Sequence, residues 1–122
     1  MKEKNELRDS RKKETGRLGE ELSVLMLEER GYEILERNYR CRFGEIDIIA
    51  LRREILTFVE VKTRSGEHYG TAAEAVTWSK QQKIRQTALQ YLNEYRKPFV
   101  GVEFQVVEVL LRQHDGLDFQ GV

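Results

Sequence analysis

Two short apolar runs, each broken by a single carboxylate, constrain this chain more than any other feature. Gly44-Glu45-Ile46-Asp47-Ile48-Ile49-Ala50 is followed, after the polar Arg52-Arg53-Glu54, by Leu56-Thr57-Phe58-Val59-Glu60-Val61-Lys62. Both runs are rich in β-branched and apolar residues and read as strands. A carboxylate inside such a strand is costly unless it is paired or binds a cation. With period-two alternation, Glu45, Asp47 and Ile49 are expected to share one face, as are Phe58, Glu60 and Lys62. The short turn makes the strands antiparallel neighbours, so the two carboxylates can meet.

The rest of the pattern supplies a frame. A helix is predicted from Arg11 to Arg30, stopped by Gly31. It carries two competing stripes, Leu18-Leu22-Leu25-Met26 and Glu20-Ser23-Val24-Leu27, and a helix apolar on two sides is expected to be covered on both. Residues 1–10 are polar and expected to fray, leaving 11–122 as a single domain. Strands are predicted over Tyr32–Tyr39, Gly44–Leu51 and Ile55–Thr63 as an antiparallel meander, with a loop over 64–72. A second helix is predicted from Lys80 to Tyr95, with a Ser79/Gln82 capping box, Trp78 stapling it, and a core stripe of Ile84, Ala88, Tyr91, Leu92 and Tyr95. Val100, Val102, Phe104 and Val106 alternate over 99–111 as a further strand, and His114-Asp115-Gly116 could turn into a last one at 117–121. The order α-β-β-β-α-β-(β) predicts an α/β fold, a mixed sheet flanked by helices.

Composition narrows the classes. No run approaches the ~18 apolar residues of a membrane span, and no apolar stretch follows the charged N-terminus as a secretory signal would. A cytoplasmic protein is expected. Cys41 is the single cysteine, and His68 and His114 have no cysteine partners, so a zinc site is not expected. Any metal should be a hard cation on carboxylates, Mg²⁺ or Mn²⁺. The formal net charge is zero. Beyond residue 98 the only basic residue is Arg112, so a nucleic-acid surface belongs to the first hundred residues.

Asp47, Glu60 and Lys62 together suit phosphodiester hydrolysis. Two carboxylates can hold a divalent ion, which polarises a phosphate oxygen and makes a bound water more nucleophilic. A lysine supplies a compact positive charge near that water. The Val61 carbonyl is a further candidate ligand. A bare E-x-K is more often a surface ion pair, and the apolar setting of both acids is what separates this case. Glu20 is a candidate through its stripe with Ser23, Val24 and Leu27. Glu45 is open between an alternate ligand and a solvated strand end. Lys80, at a helix start that disfavours a cation, is open between a phosphate contact and a solvated lysine. Arg37, Arg40 and Arg42, near Tyr39 and Phe43, suit backbone contacts and base stacking, or a solvated strand end. Arg64 is a further candidate for nucleic-acid contact.

G-E-I-D-I-I-A followed by F-V-E-V-K-T-R resembles the YraN-like family of small bacterial proteins. That family is similar to the PD-(D/E)XK nucleases and the archaeal Holliday-junction resolvases. The resemblance spans roughly residues 16 to 109 and includes Gly16-x-x-Gly19-Glu20, Gly31-Tyr32, Arg37-Asn38, Ala75-Val76 with Lys80, and Ala88 with Tyr91-Leu92. It implies a restriction-endonuclease-like core, with Asp47, Glu60 and Lys62 as the motif residues and Glu20 as the helical glutamate near the metal. It further implies an endonuclease acting on branched or structured DNA, and a possible homodimer. Relatives often carry R-F-D in the last strand where this chain has Glu103-Phe104-Gln105. The alternatives are a non-catalytic nucleic-acid-binding module of the same fold, or a scaffold protein using an apolar helix face.

Overall fold

The computed structural model describes residues 2–65, 77–112 and 118–121. The elements are α1 (Lys2–Glu29), β1 (Glu33–Cys41), β2 (Gly44–Arg52), β3 (Ile55–Ser65), α2 (Trp78–Glu94), β4 (Gly101–Arg112) and β5 (Asp118–Gly121). They form one five-stranded sheet in the order β1-β2-β3-β4-β5. Strands β1, β2 and β3 are an antiparallel meander, β3 and β4 are parallel, and β5 returns antiparallel. A parallel pair needs a crossover, and α2 lies on it. The predicted mixed sheet flanked by helices is the observed one. No described helix is long and apolar enough to cross a membrane.

The helices divide the core into two layers. On one face, Val24 and Leu27 of α1 pack with Ile48, Ala50, Val59, Val107, Val109 and Leu111. On the other, Ala88 and Tyr91 of α2 pack with Ile46, Ile49, Leu56 and Phe58. The second α1 stripe therefore wins the core. Its Ser23 is fully buried because its hydroxyl donates to the Gly19 carbonyl at 2.7 Å. Leu18, Leu22 and Met26 flank the cluster, while Leu25 is exposed, so the second cover expected for α1 is not present among the described residues.

Gly31 ends α1 as predicted. At φ 89° it takes a conformation that costs other residues a Cβ clash. Its N–H donates to Glu28 O and the Tyr32 N–H to Leu27 O, both at 3.0 Å, which satisfies two orphan carbonyls of the last turn.

Several boundaries differ from expectation. α1 begins at Lys2 instead of Arg11. β3 continues to Ser65, into the segment expected to be a loop. The remainder of that loop and the His114-Asp115-Gly116 turn fall outside the described residues. α2 is capped by Thr77, whose hydroxyl accepts from the Lys80 N–H at 3.2 Å, and not by Ser79. Trp78 is 74% exposed, and no staple to it is present among the described residues. The predicted α2 core stripe does face the sheet. In β4 the Val102-Phe104-Val106 face, with Val100 just before it, is the more exposed one, because α2 lies over β1 and β2.

The β2–β3 hairpin turns on Arg53 and Glu54 alone, at φ 51° and 64°. Two positive φ values in a two-residue hairpin loop are the type I′ geometry that Asn-Gly prefers. Arg and Glu hold it at a cost. Replacing Arg53-Glu54 with Asn-Gly should stabilise the fold by about 1 kcal/mol and raise the melting temperature by several degrees. A thermal melt with an unchanged or lowered midpoint would contradict this turn geometry.

Candidate active site

The site begins where the sheet divides. β2 and β3 pair from Arg52 opposite Ile55 to Ile48 opposite Val59, and there their ladder stops. β2 continues beside β1, with Ile46 opposite Tyr39 and Glu45 opposite Arg40. β3 continues beside β4, through Lys62 opposite Glu108 to Ser65 opposite Leu111. At the fork the Val61 N–H donates to Asp47 Oδ2 at 2.7 Å. The carboxylate takes the place of a strand partner.

The divergence is accompanied by a break in alternation. Ile46 belongs to the α2-side cluster and Ile48 to the α1-side cluster, although they are two residues apart. Across from them in β1, Arg37 reaches Glu21 of α1 while Tyr39 packs against Tyr91 of α2. Between these pairs sit Asp47 and Asn38, the latter at φ 54°. Asparagine is among the few side chains that tolerate this conformation. The expectation that Glu45, Asp47 and Ile49 share a face by simple parity is therefore corrected: the two strands switch faces together at this step.

Glu60 is the second carboxylate. It lies in β3 beyond Phe58, its side chain only 12% exposed, and its Oε1 is 2.8 Å from the Lys80 ammonium of α2. Asp47 feels both its surroundings and its neighbours. Burial pushes its carboxyl up to about 7, the Glu60 charge adds to the rise, and Glu20 and Glu45 add less, while the Val61 N–H works in the opposite direction. Glu60, Glu20 and Glu45 thus oppose ionisation of Asp47, although Lys80 balances Glu60 and Arg40 balances Glu45.

Glu20 owes its position to Gly19. A Cβ at Gly19 would collide with the Thr63 hydroxyl and lie 2.9 Å from Thr63 Cβ, so α1 meets β3 closely beside the fork. The mid-helix glycine was the signal for this approach.

The donor set suits a hard divalent ion. Asp47 and Glu60 could offer carboxylate oxygens and Val61 a carbonyl, and Mg²⁺ needs only one or two carboxylates, completing its shell with water and phosphate. Among the described residues no three His, Cys, Asp or Glu side chains form a ready-made metal cluster.

The basic candidates are more engaged than expected. Lys80, expected on a phosphate or in solvent, is on Glu60. Arg37 pairs with Glu21 at 2.8 Å, Arg40 with Glu45 at 3.3 Å, and Arg64 with Glu108 at 2.9 Å. Arg42 lies over the Phe43 ring at 4.7 Å. Lys62 is two residues beyond Glu60 and half-buried, and among the described residues it makes no ion pair.

A family model described as "Uncharacterised protein family UPF0102" matches residues 19–109. A UPF0102 protein of Nocardia farcinica is 49% identical over 100 residues, covering 82% of this chain and 79% of the relative. One from Syntrophus aciditrophicus is 49% identical over 98 residues, covering 80% and 77%. One from Alkaliphilus oremlandii is 48% identical over 101 residues, covering 81% and 86%. The matched region contains the fork, both carboxylates, Glu20 and Lys80.

The raised Asp47 carboxyl makes stability depend on pH. Its ordinary value is near 4, and in the fold it is about 7. The folded chain therefore holds a proton that the unfolded chain releases, and metal-free stability falls as pH rises from about 4 to about 7, then levels off. Asp47→Asn keeps an acceptor for Val61 and carries no charge. In EDTA it should melt several degrees above the parent at pH 8 and close to it near pH 4. Parallel melting curves at both pH values would contradict the uncompensated charge.

Proposed function

The chain belongs to the UPF0102 family, and from the carboxylate pair at its forked sheet we propose a divalent-metal-dependent endonuclease that hydrolyses phosphodiester bonds, with branched or structured DNA as substrate. The observation that carries this reading is Asp47, fixed by Val61 and driven up to about 7 beside Glu60. Asp47 is hard to charge there, Glu60 already carries a cation in Lys80, and a divalent ion held by both carboxylates would let both ionise. The motif resemblance to PD-(D/E)XK nucleases supplies the reaction class by analogy.

In this reading Asp47, Glu60 and the Val61 carbonyl hold Mg²⁺ or Mn²⁺, with Glu20 beside them. The bound ion supplies Lewis acidity toward a phosphate oxygen and a more acidic water. Lys62 places a positive charge beside the attacking water and the developing phosphorane. Lys80 occupies Glu60 and is near enough to turn toward a substrate phosphate when a cation replaces it there. Arg37, Arg40, Arg42 and Arg64 contribute positive potential, and exchange of the carboxylates on Arg37, Arg40 and Arg64 for phosphate would accompany binding. A cytoplasmic location and a homodimer matching a two-fold substrate fit the same reading.

Labelled linear, flap and four-way DNA with Mg²⁺, Mn²⁺ or EDTA tests it. The parent should nick DNA only with metal. Glu60→Gln should lose both cleavage and Mn²⁺ binding by calorimetry. Lys62→Ala should keep Mn²⁺ and lose cleavage by about a hundredfold or more. Cleavage by Glu60→Gln at the parental rate would overturn the assignment. Salt-dependent binding without any cleavage would favour the non-catalytic module, and neither binding nor cleavage would favour the scaffold.

A further inference from the structure

α2 covers only part of its face of the sheet, and a cavity of about 270 Å³ opens between it and β4. Ile46, Phe58, Ile84, Phe104 and Val106 make its apolar wall, and Glu60 and Arg85 contribute charge. The cavity thus shares Glu60 with the carboxylate pair. Phe104 is 49% exposed, yet its ring is not loose. It stacks on buried Phe58 at 5.4 Å and 27°, and Phe58 meets Tyr91 edge-on at 6.1 Å. An aromatic ring held from behind and open to solvent is a preformed stacking platform.

The chemistry of the wall selects an occupant. An apolar segment of a protein partner would strip water from Glu60 and Arg85 without replacing their hydrogen bonds. A planar heteroaromatic ring with polar edges, joined to an anion, matches the aromatic wall and the Arg85 guanidinium together. The volume lies just below that of pockets for drug-sized ligands, which suits one ring with its sugar. We propose that this cavity takes an unpaired nucleobase adjoining the phosphodiester held at Asp47 and Glu60, so that the preferred substrate is single-stranded or frayed at the cut. This rests on the phosphodiesterase reading of that pair. A base inside a duplex would first have to leave its stack, at a cost that an unpaired base avoids.

Binding in EDTA, where hydrolysis plays no part, tests the proposal with the full chain and an oligonucleotide carrying 2-aminopurine, single-stranded or in a duplex. The 2-aminopurine emission should fall on binding the single strand. Phe104→Leu keeps apolar bulk but removes the π face, and should weaken single-strand binding roughly five- to 150-fold. It should leave duplex binding unchanged, and Phe104→Trp should restore the single-strand affinity. Thermal melts on each variant identify any loss due to unfolding. Equal single-strand binding by Phe104→Leu and the parent would overturn the proposal, as would unchanged emission on binding. A change in sedimentation of Phe104→Leu without a change in DNA affinity would also overturn it, and assign the surface to a second copy of the chain. Phe104-sensitive binding by a parent that cuts no DNA with any metal would sink the nuclease reading alone. Metal-dependent cutting indifferent to pairing and to Phe104 would sink the base pocket alone.

Discussion

The hydrogen bond from the Val61 N–H to Asp47 Oδ2 is the contact on which the site depends. Two neighbouring strands that part in mid-sheet leave backbone groups without partners, and buried orphans are costly. Here one side chain supplies the missing acceptor. The same carboxylate thereby becomes fixed in a partly buried place beside Glu60, where its charge is hard to sustain. The bond that closes the fork is also the bond that sets the electrostatics. Past the fork, β2 goes with β1 and β3 goes with β4, so each carboxylate is carried by a separately supported arm.

The two faces of the sheet differ in how completely they are closed. On the α1 side the core reaches from Ile48 to Leu111, and the close approach of Gly19 to Thr63 anchors the helix at the fork. On the α2 side the helix covers β1 and β2, leaving Val102, Phe104 and Val106 partly exposed. Lys80, from the first turn of α2, reaches Glu60 across that boundary. Glu60 thus stands where a closed face meets an open one, lining the cavity beside α2 while held by a packed strand.

Much of this was legible in local pattern. The apolar strands broken by Asp47 and Glu60, the helix stop at Gly31, and the Ile84-Ala88-Tyr91 stripe all follow from spacing that local geometry enforces. What failed were features set at long range. The face switch at Asp47 is shared with β1, where Asn38 stands at φ 54° at the same step. The exposed face of β4 depends on where α2 comes to rest, since alternation distinguishes two faces without saying which is covered. The pairing of Arg37 with Glu21 and of Arg64 with Glu108 spans too much sequence for local pattern to show. The Ser79/Gln82 spacing imitated a cap one turn inside the helix that Thr77 begins.

The central claim is that Asp47 and Glu60 together hold one divalent cation, and a crystal soaked in Mn²⁺ tests it most directly. The account predicts a single strong anomalous peak at about 2.0–2.2 Å from an oxygen of each carboxylate, with the Lys80 ammonium displaced from Glu60. An intact Lys80–Glu60 pair with no peak between the carboxylates, or a peak bound elsewhere, would contradict it.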